Sequence, residues 1–153
     1  MKPSQPSLAV VIASYRRLER LPALVDEYSE QGADEIVVVL DGPHPGWDRE
    51  LTPRSVLNVV ELPENMGLAL ARIAGLRAAK SEVILAVDDD VYPTPGLVER
   101  HRSFHARQGG RVVQGYMPVV LAGRRGRDDA PTHLYARDYE AQVNVWREGD
   151  SVR

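Results

Sequence analysis

Between residues 8 and 87 the chain carries short runs of Val, Ile and Leu: Leu8–Ala13 (LAVVIA), Glu35–Leu40 (EIVVVL), Leu57–Leu62 (LNVVEL) and Val83–Val87 (VILAV). Runs of this length read as strands. The first, second and last are almost continuously apolar, which suits strands covered on both faces, as in a parallel sheet. Leu57–Leu62 ends in alternation and is expected nearer an edge. Helical patterns lie between them. Leu18, Leu21, Val25 and Tyr28 share one face, with Gly32 as the stop. Met66, Ala69, Leu70, Ile73 and Ala74 form an amphipathic stripe behind Asn65 as N-cap. Thr94-Pro95 reads as N-cap plus N1 of a helix ending near Gly109-Gly110. The order β-α-β-β-α-β-α predicts an α/β domain: three layers, α/β/α, around a mostly parallel sheet with right-handed crossovers. Beyond it, Val112–Leu121 is expected to be a strand, Gly123–Pro131 an exposed loop, and Tyr135, Tyr139, Val143 and Trp146 one face of a last helix.

A length of 153 residues suits one domain, 1–153, with a core that needs no staples. The absence of Cys excludes a disulfide scaffold, a Cys-ligated metal site and a Cys nucleophile. No apolar run is long enough for a transmembrane segment, and the start lacks the length and cleavage site of a signal peptide. These features point to a cytoplasmic chain. The net charge of −3 conceals an acidic front, with 9 basic and 16 acidic side chains in residues 1–99. That balance argues against a nucleic-acid partner.

In an open parallel sheet, ligands bind beyond the carboxyl ends of the strands. The first strand runs into Ser14-Tyr15-Arg16, the second into Asp41-Gly42 and the last into Asp88-Asp89-Asp90. Consecutive carboxylates repel one another and are costly to bury without a partner. A hard divalent ion, Mg²⁺ or Mn²⁺, supplies one, and Asp88 and Asp90 have the spacing to face a single ion. A solvated acidic turn is the plainer alternative. Taken singly, Asp41-Gly42-Pro43 is a turn, Asn65-Met66-Gly67 a helix start, Arg72 a surface residue and the His101/His105 pair a half-exposed helix face. Signatures of P-loop NTPases, Rossmann dehydrogenases and α/β-hydrolases are absent.

In order and spacing, the segments LAVVIASYRRLERLPALVDEY, EIVVVLDGP and ENMGLALARIAGLRAAKSEVILAVDDDVYPTPGLVERH resemble the nucleotide-sugar-binding half of GT-A glycosyltransferases, family 2 above all. The resemblance covers about residues 8–101. It implies a GT-A fold and a donor site, with a nucleoside-diphosphate sugar, UDP-type favoured, as the partner. Ser14 and Tyr15 match the turn against the nucleotide base, and Asp41 the acidic residue that reads it. Asn65, Gly67 and Arg72 match the segment beside the nucleotide. Asp88 and Asp90 match the ends of the DxD motif, which holds the ribose and the metal–diphosphate. The implied reaction is metal-dependent, inverting transfer of the sugar to an acceptor hydroxyl of unidentified type.

The run Ala71-Arg72-Ile73 departs from the family, which often carries Asn after the matching Arg. The family's catalytic base lies well beyond the DxD strand. Asp128, Asp129, Asp138, Glu140 and Asp150 follow here, but none sits in a recognisable base motif. The expectation is therefore an incomplete GT-A domain, with 8–101 as donor core and 102–153 as the start of the acceptor half. Uncovered apolar elements would then favour self-association. A non-catalytic donor-binding module and, less favoured, a nucleotidyltransferase are the alternatives.

Overall fold

In the computed structural model the described residues are 5–113. The chain divides into two compact units, Met1–Val112 and Val113–Arg153. Everything described up to Val112 belongs to the first.

The elements run β1 (Leu8–Ser14), a 3₁₀ turn (Leu18–Arg20), α1 (Leu21–Glu30), β2 (Glu35–Leu40), α2 (Trp47–Glu50), β3 (Leu57–Glu61), α3 (Leu68–Ala78), β4 (Val83–Asp88) and α4 (Leu97–Arg107). The strands form one sheet in the order β3-β2-β1-β4, and every pairing is parallel. The central strands β1 and β2 are buried along almost their whole length, as their unbroken apolar sequences require. Side chains alternate between two cores. Leu8, Val10, Ile12, Ile36, Val38 and Leu40 meet α1 and Val98 of α4 on one face. Val11, Ala13, Val37 and Val39 meet Ala71 of α3 on the other. The three-layer α/β/α arrangement is thus present.

Helix α1 buries Leu21, Leu24, Val25 and Tyr28 and stops at Gly32, whose φ of 81° suits glycine. There the Gly32 and Ala33 amides donate to the Ser29 and Tyr28 carbonyls. Among the described residues strand β3 is an edge, as its alternation implied.

The structure corrects other expectations. Helix α3 packs through Ala71 and Gly75, with Ala74 and Ala78 alongside, and leaves Met66, Leu70 and Ile73 exposed. Close approach, not bulk, selects the packed face. A Cβ on Gly75 would overlap Val11 Cγ1 and lie 3.0 Å from Val39 Cγ2. Asn65 is not the N-cap of α3. Gly67 is, with φ 85°, and no side chain caps the helix. Helix α4 begins at Leu97 behind a left-handed Gly96, so Thr94 and Pro95 stand outside it, where Arg100 takes both the Thr94 hydroxyl and the Pro95 carbonyl. Among the described residues strand β4 is covered on one face: Val83 and Val87 are buried while Ile84 is exposed.

Val112 and Val113 are irregular. The rest of the expected strand to Leu121, the loop Gly123–Pro131, the helix face of Tyr135, Tyr139, Val143 and Trp146, and the acidic residues Asp128, Asp129, Asp138, Glu140 and Asp150 lie outside the described residues. Among the described residues no helix is long and apolar enough to cross a membrane.

Candidate functional site

Because β1, β2 and β4 are parallel neighbours, the segments that follow them leave from one edge of the sheet. Ser14 ends β1, Asp41 follows β2, and Asp88 ends β4. The register brings Ala13 opposite Asp88 and Ser14 opposite Leu40. Ser14, Asp41 and the Asp triplet are therefore neighbours in space, although Asp88 is 74 positions from Ser14 in the chain.

The triplet divides into one inward and two outward carboxylates. Asp89 is buried. It accepts the Ser14 hydroxyl at 2.7 Å and Arg17 Nη1 at 2.9 Å. The same Arg17 nitrogen reaches Asp90 Oδ2 at 3.2 Å, and Asp89 beside it holds the guanidinium still more firmly protonated than usual. Asp88 is ion-paired with Arg72 of α3, whose Nε is buried without a partner among the described residues. The charge that predicted a metal is thus already balanced in part by two arginines, one reaching in from the turn after β1 and one from α3. Arg72 is correspondingly more than a surface residue.

This arrangement fits a divalent ion held jointly with a ligand. Asp88 and Asp90 are both part-exposed, and Asp88 Oδ2 and Asp90 Oδ1 have no hydrogen-bond partner among the described residues. Hard oxygen donors of this kind suit Mg²⁺ or Mn²⁺, which usually keep protein ligands few and take phosphate oxygens as well. Among the described residues no group of three or more acidic or His side chains is gathered to hold a metal unaided.

Asp41 is a buried carboxylate, 4% exposed, and it organises the start of α3. Its Oδ1 accepts the Met66 amide at 2.7 Å, and its Oδ2 accepts the Gly67 amide at 3.0 Å and Asn65 Nδ2 at 3.2 Å. Negative charge at a helix N-terminus is favoured by the orphan amides there. The segment Asn65–Gly67 thus gathers around a carboxylate of its own chain. Gly42 makes the approach possible: with φ 109°, a Cβ there would lie 3.1 Å from the Asn65 nitrogen.

Tyr15 projects from the turn after β1, 42% exposed. The Arg16 guanidinium carbon lies 5.0 Å from its ring centroid, a cation–π distance. Its ring also meets the His44 ring edge-on at 6.4 Å. His44 and Arg17 escaped the sequence reading. The signal for Arg17 was the need of three acidic residues for counter-charge, which a cation at the neighbouring strand end meets. His44 gave none beyond being a His next to the Asp41 turn. The pair His101/His105 stacks along α4 at 6.5 Å. Burial, then the charges of His105 and Arg100, lowers the pKa of His101.

A parallel sheet in this order, with the Tyr15 turn, a carboxylate at the head of α3 and an acidic triplet all at one edge, defines the class: a GT-A glycosyltransferase fold. Within that class the chain belongs to one family, Glycosyl transferase family 2, whose model matches residues 9–150. Two curated relatives come from Bacillus subtilis (strain 168). The uncharacterized glycosyltransferase YwdF is 33% identical over 96 residues, covering 61% of this chain and 36% of the relative. The uncharacterized glycosyltransferase YfnE is 27% identical over 113 residues, covering 70% and 29%. The chain spans about a third of the length of these relatives. A similar solved structure is the mannosyltransferase PcManGT from Pyrobaculum calidifontis in complex with GDP-Man and Mn²⁺. It superposes with a TM-score of 0.58 at 22% identity, over 71% of this chain and 34% of that one.

Proposed function

We propose that this chain forms the donor-binding part of a metal-dependent, inverting glycosyltransferase that moves a sugar from a nucleoside diphosphate to an acceptor hydroxyl. The observation that carries the reading is the convergence of Asp41 and the Asp88–Asp90 triplet at one sheet edge. Family membership and a structural neighbour solved in complex with GDP-Man and Mn²⁺ support it. Tyr15 and Ser14 border the base side, and Asp41 with Asn65 and Gly67 shapes the nucleotide's flank. Asp88 and Asp90 are the residues that would hold Mg²⁺ or Mn²⁺. A divalent ion bound there supplies positive charge to the departing diphosphate. Arg72, about one turn into α3, adds a fixed cation to the same side. The resemblance favours UDP, whereas the structural neighbour carries a guanine nucleotide, so both bases belong in the test.

Calorimetry with UDP and with GDP, each with and without Mn²⁺, provides it. Binding of at least one nucleotide should strengthen with Mn²⁺. Asp88→Ala and Asp90→Asn should each remove that metal-dependent increment while the circular dichroism spectrum is retained. Metal-independent binding that both variants preserve would remove the assignment of Asp88 and Asp90.

A further inference from the structure

His44 lies outside every motif that identifies the family, yet it is the side chain that ties the base-side turns together. It is 8% exposed, and its polar groups are all engaged. Its backbone amide donates to Glu61 Oε1 at the end of β3, 2.7 Å away. Its Nε2 accepts the Arg16 backbone amide at 2.9 Å. Its Nδ1 lies 2.6 Å from the Gly42 carbonyl. A backbone amide only donates and a carbonyl only accepts, so these partners fix the ring as the neutral tautomer with the proton on Nδ1. One imidazole therefore joins the turns that follow β1 and β2, and the backbone amide of the same residue ties them to the end of β3.

The place where it holds β1 is unusual. Arg16 has φ 57°, and it is the non-glycine residue with positive φ among the described residues. A side chain in that region is held by its surroundings. The Arg16 amide bonded to His44 sets the direction in which the chain leaves Tyr15, and the His44 ring packs against the Tyr15 ring itself. On the other side, the Gly42 carbonyl that His44 takes lies one residue from Asp41. Tyr15, which borders the base side, and Asp41, which the resemblance gives to the base, are thus set relative to each other through His44.

We propose that His44 is a positioning residue for the nucleotide base: its imidazole fixes the Tyr15 turn against the Asp41 turn, so that the base meets a preformed slot. This rests on the donor-binding reading given above. Preorganisation of this kind raises affinity by reducing what must be ordered on binding.

Two substitutions separate the bonds His44 makes. In His44→Gln, Oε1 can replace Nε2 as acceptor for the Arg16 amide. In His44→Asn, Nδ2 can still donate to the Gly42 carbonyl, but nothing reaches Arg16. Binding of UDP and GDP with Mn²⁺ should weaken about tenfold in His44→Asn, as for one lost hydrogen bond, and stay close to the unsubstituted protein in His44→Gln. Binding of inorganic pyrophosphate with Mn²⁺, which has no base, should be unchanged in both. In a Tyr15→Ala background the His44→Asn effect should largely vanish, since coupled residues are not additive. Without ligand, hydrogen exchange at the Arg16 amide should quicken in His44→Asn alone. Equal nucleotide affinity in all forms, equal losses in both variants, or a loss that persists without Tyr15 would overturn the proposal. So would Arg16 exchange indifferent to the residue at 44. If the unsubstituted protein binds neither nucleotide, the donor reading and the role of His44 in it fall together, whereas normal binding with indifferent variants removes His44 alone.

Discussion

The three consecutive carboxylates are chemically identical, but their surroundings give them different work. Asp89 faces inward and serves as the acceptor that locks Ser14 and Arg17. Asp88 and Asp90 face outward, each with an oxygen free of partners among the described residues. Asp89→Ala should therefore cost stability, about 1–3 kcal/mol for a buried Ser14 hydroxyl left without its acceptor. Asp90→Ala should stay within about 0.5 kcal/mol, as exposed substitutions usually do. Urea unfolding of the two variants checks the contrast, and equal losses would place Asp90 in the frame as well. Asp41 is the less simple case. Its carboxylate satisfies two backbone amides of the segment leading into α3, so Asp41→Ala should lower stability by roughly 1–3 kcal/mol besides weakening nucleotide binding. Affinity for that variant is interpretable only beside its unfolding midpoint. Sequence alone gave Asp41 its place at the edge but not its partners. The amides of Met66 and Gly67 come from a segment 25 and 26 residues away, and no local pattern encodes that meeting.

The strands were legible because a strand buried on both faces is apolar almost throughout, and β1 and β2 are so except for Ser14 and Glu35 at their ends. Helix α3 was legible as a helix but not in its orientation. Amphipathic reasoning assigns the core face to Leu70 and Ile73. The observed face is the small-residue line Ala71, Gly75 and Ala78, because α3 lies so close to β1 that only small side chains fit. Gly75→Ala tests this. Helix propensity alone favours alanine by about 1 kcal/mol, but overlap with Val11 should reverse the sign and give a net loss, since overpacking costs about 1–3 kcal/mol. In a Val11→Ala background the loss caused by Gly75→Ala should shrink, since the two side chains are coupled. A more stable Gly75→Ala protein would contradict the packing.

Helix α4 carries a pH dependence. Burial lowers the pKa of His101, so its charged form is disfavoured in the fold and the unfolded chain binds the proton more readily. Its contribution is full above its ordinary value, about pH 6.5, and is lost as the pH falls through the lowered folded value. The urea midpoint should decline from pH 7.5 to pH 5, and His101→Gln should flatten that decline. An unchanged slope would mean that other groups set it.

At the scale of the molecule, the two sides of the sheet are unequally covered among the described residues. Helices α1 and α4 close one core over β4, while Leu68, Leu70, Ile73, Leu76 and Ile84 stand exposed on the α3 side. Apolar surface gathered in this way is unusual on a soluble monomer. A polypeptide of residues 1–153 should self-associate with rising concentration, and Leu70→Glu with Ile73→Glu should reduce the association. Sedimentation at 17.0 kDa across all concentrations would contradict this.

The central claim is that a metal–nucleotide complex sits at the carboxyl edge of the sheet, and paramagnetic broadening tests it most directly. With UDP or GDP and sub-stoichiometric Mn²⁺, amide signals of Ser14–Arg17, Asn65–Gly67 and Asp88–Asp90 should broaden first. Signals from the opposite edge, at Ser7, Asp34, Glu35 and Glu82, should persist. Broadening centred on that opposite edge, or spread evenly over the sheet, would contradict the account.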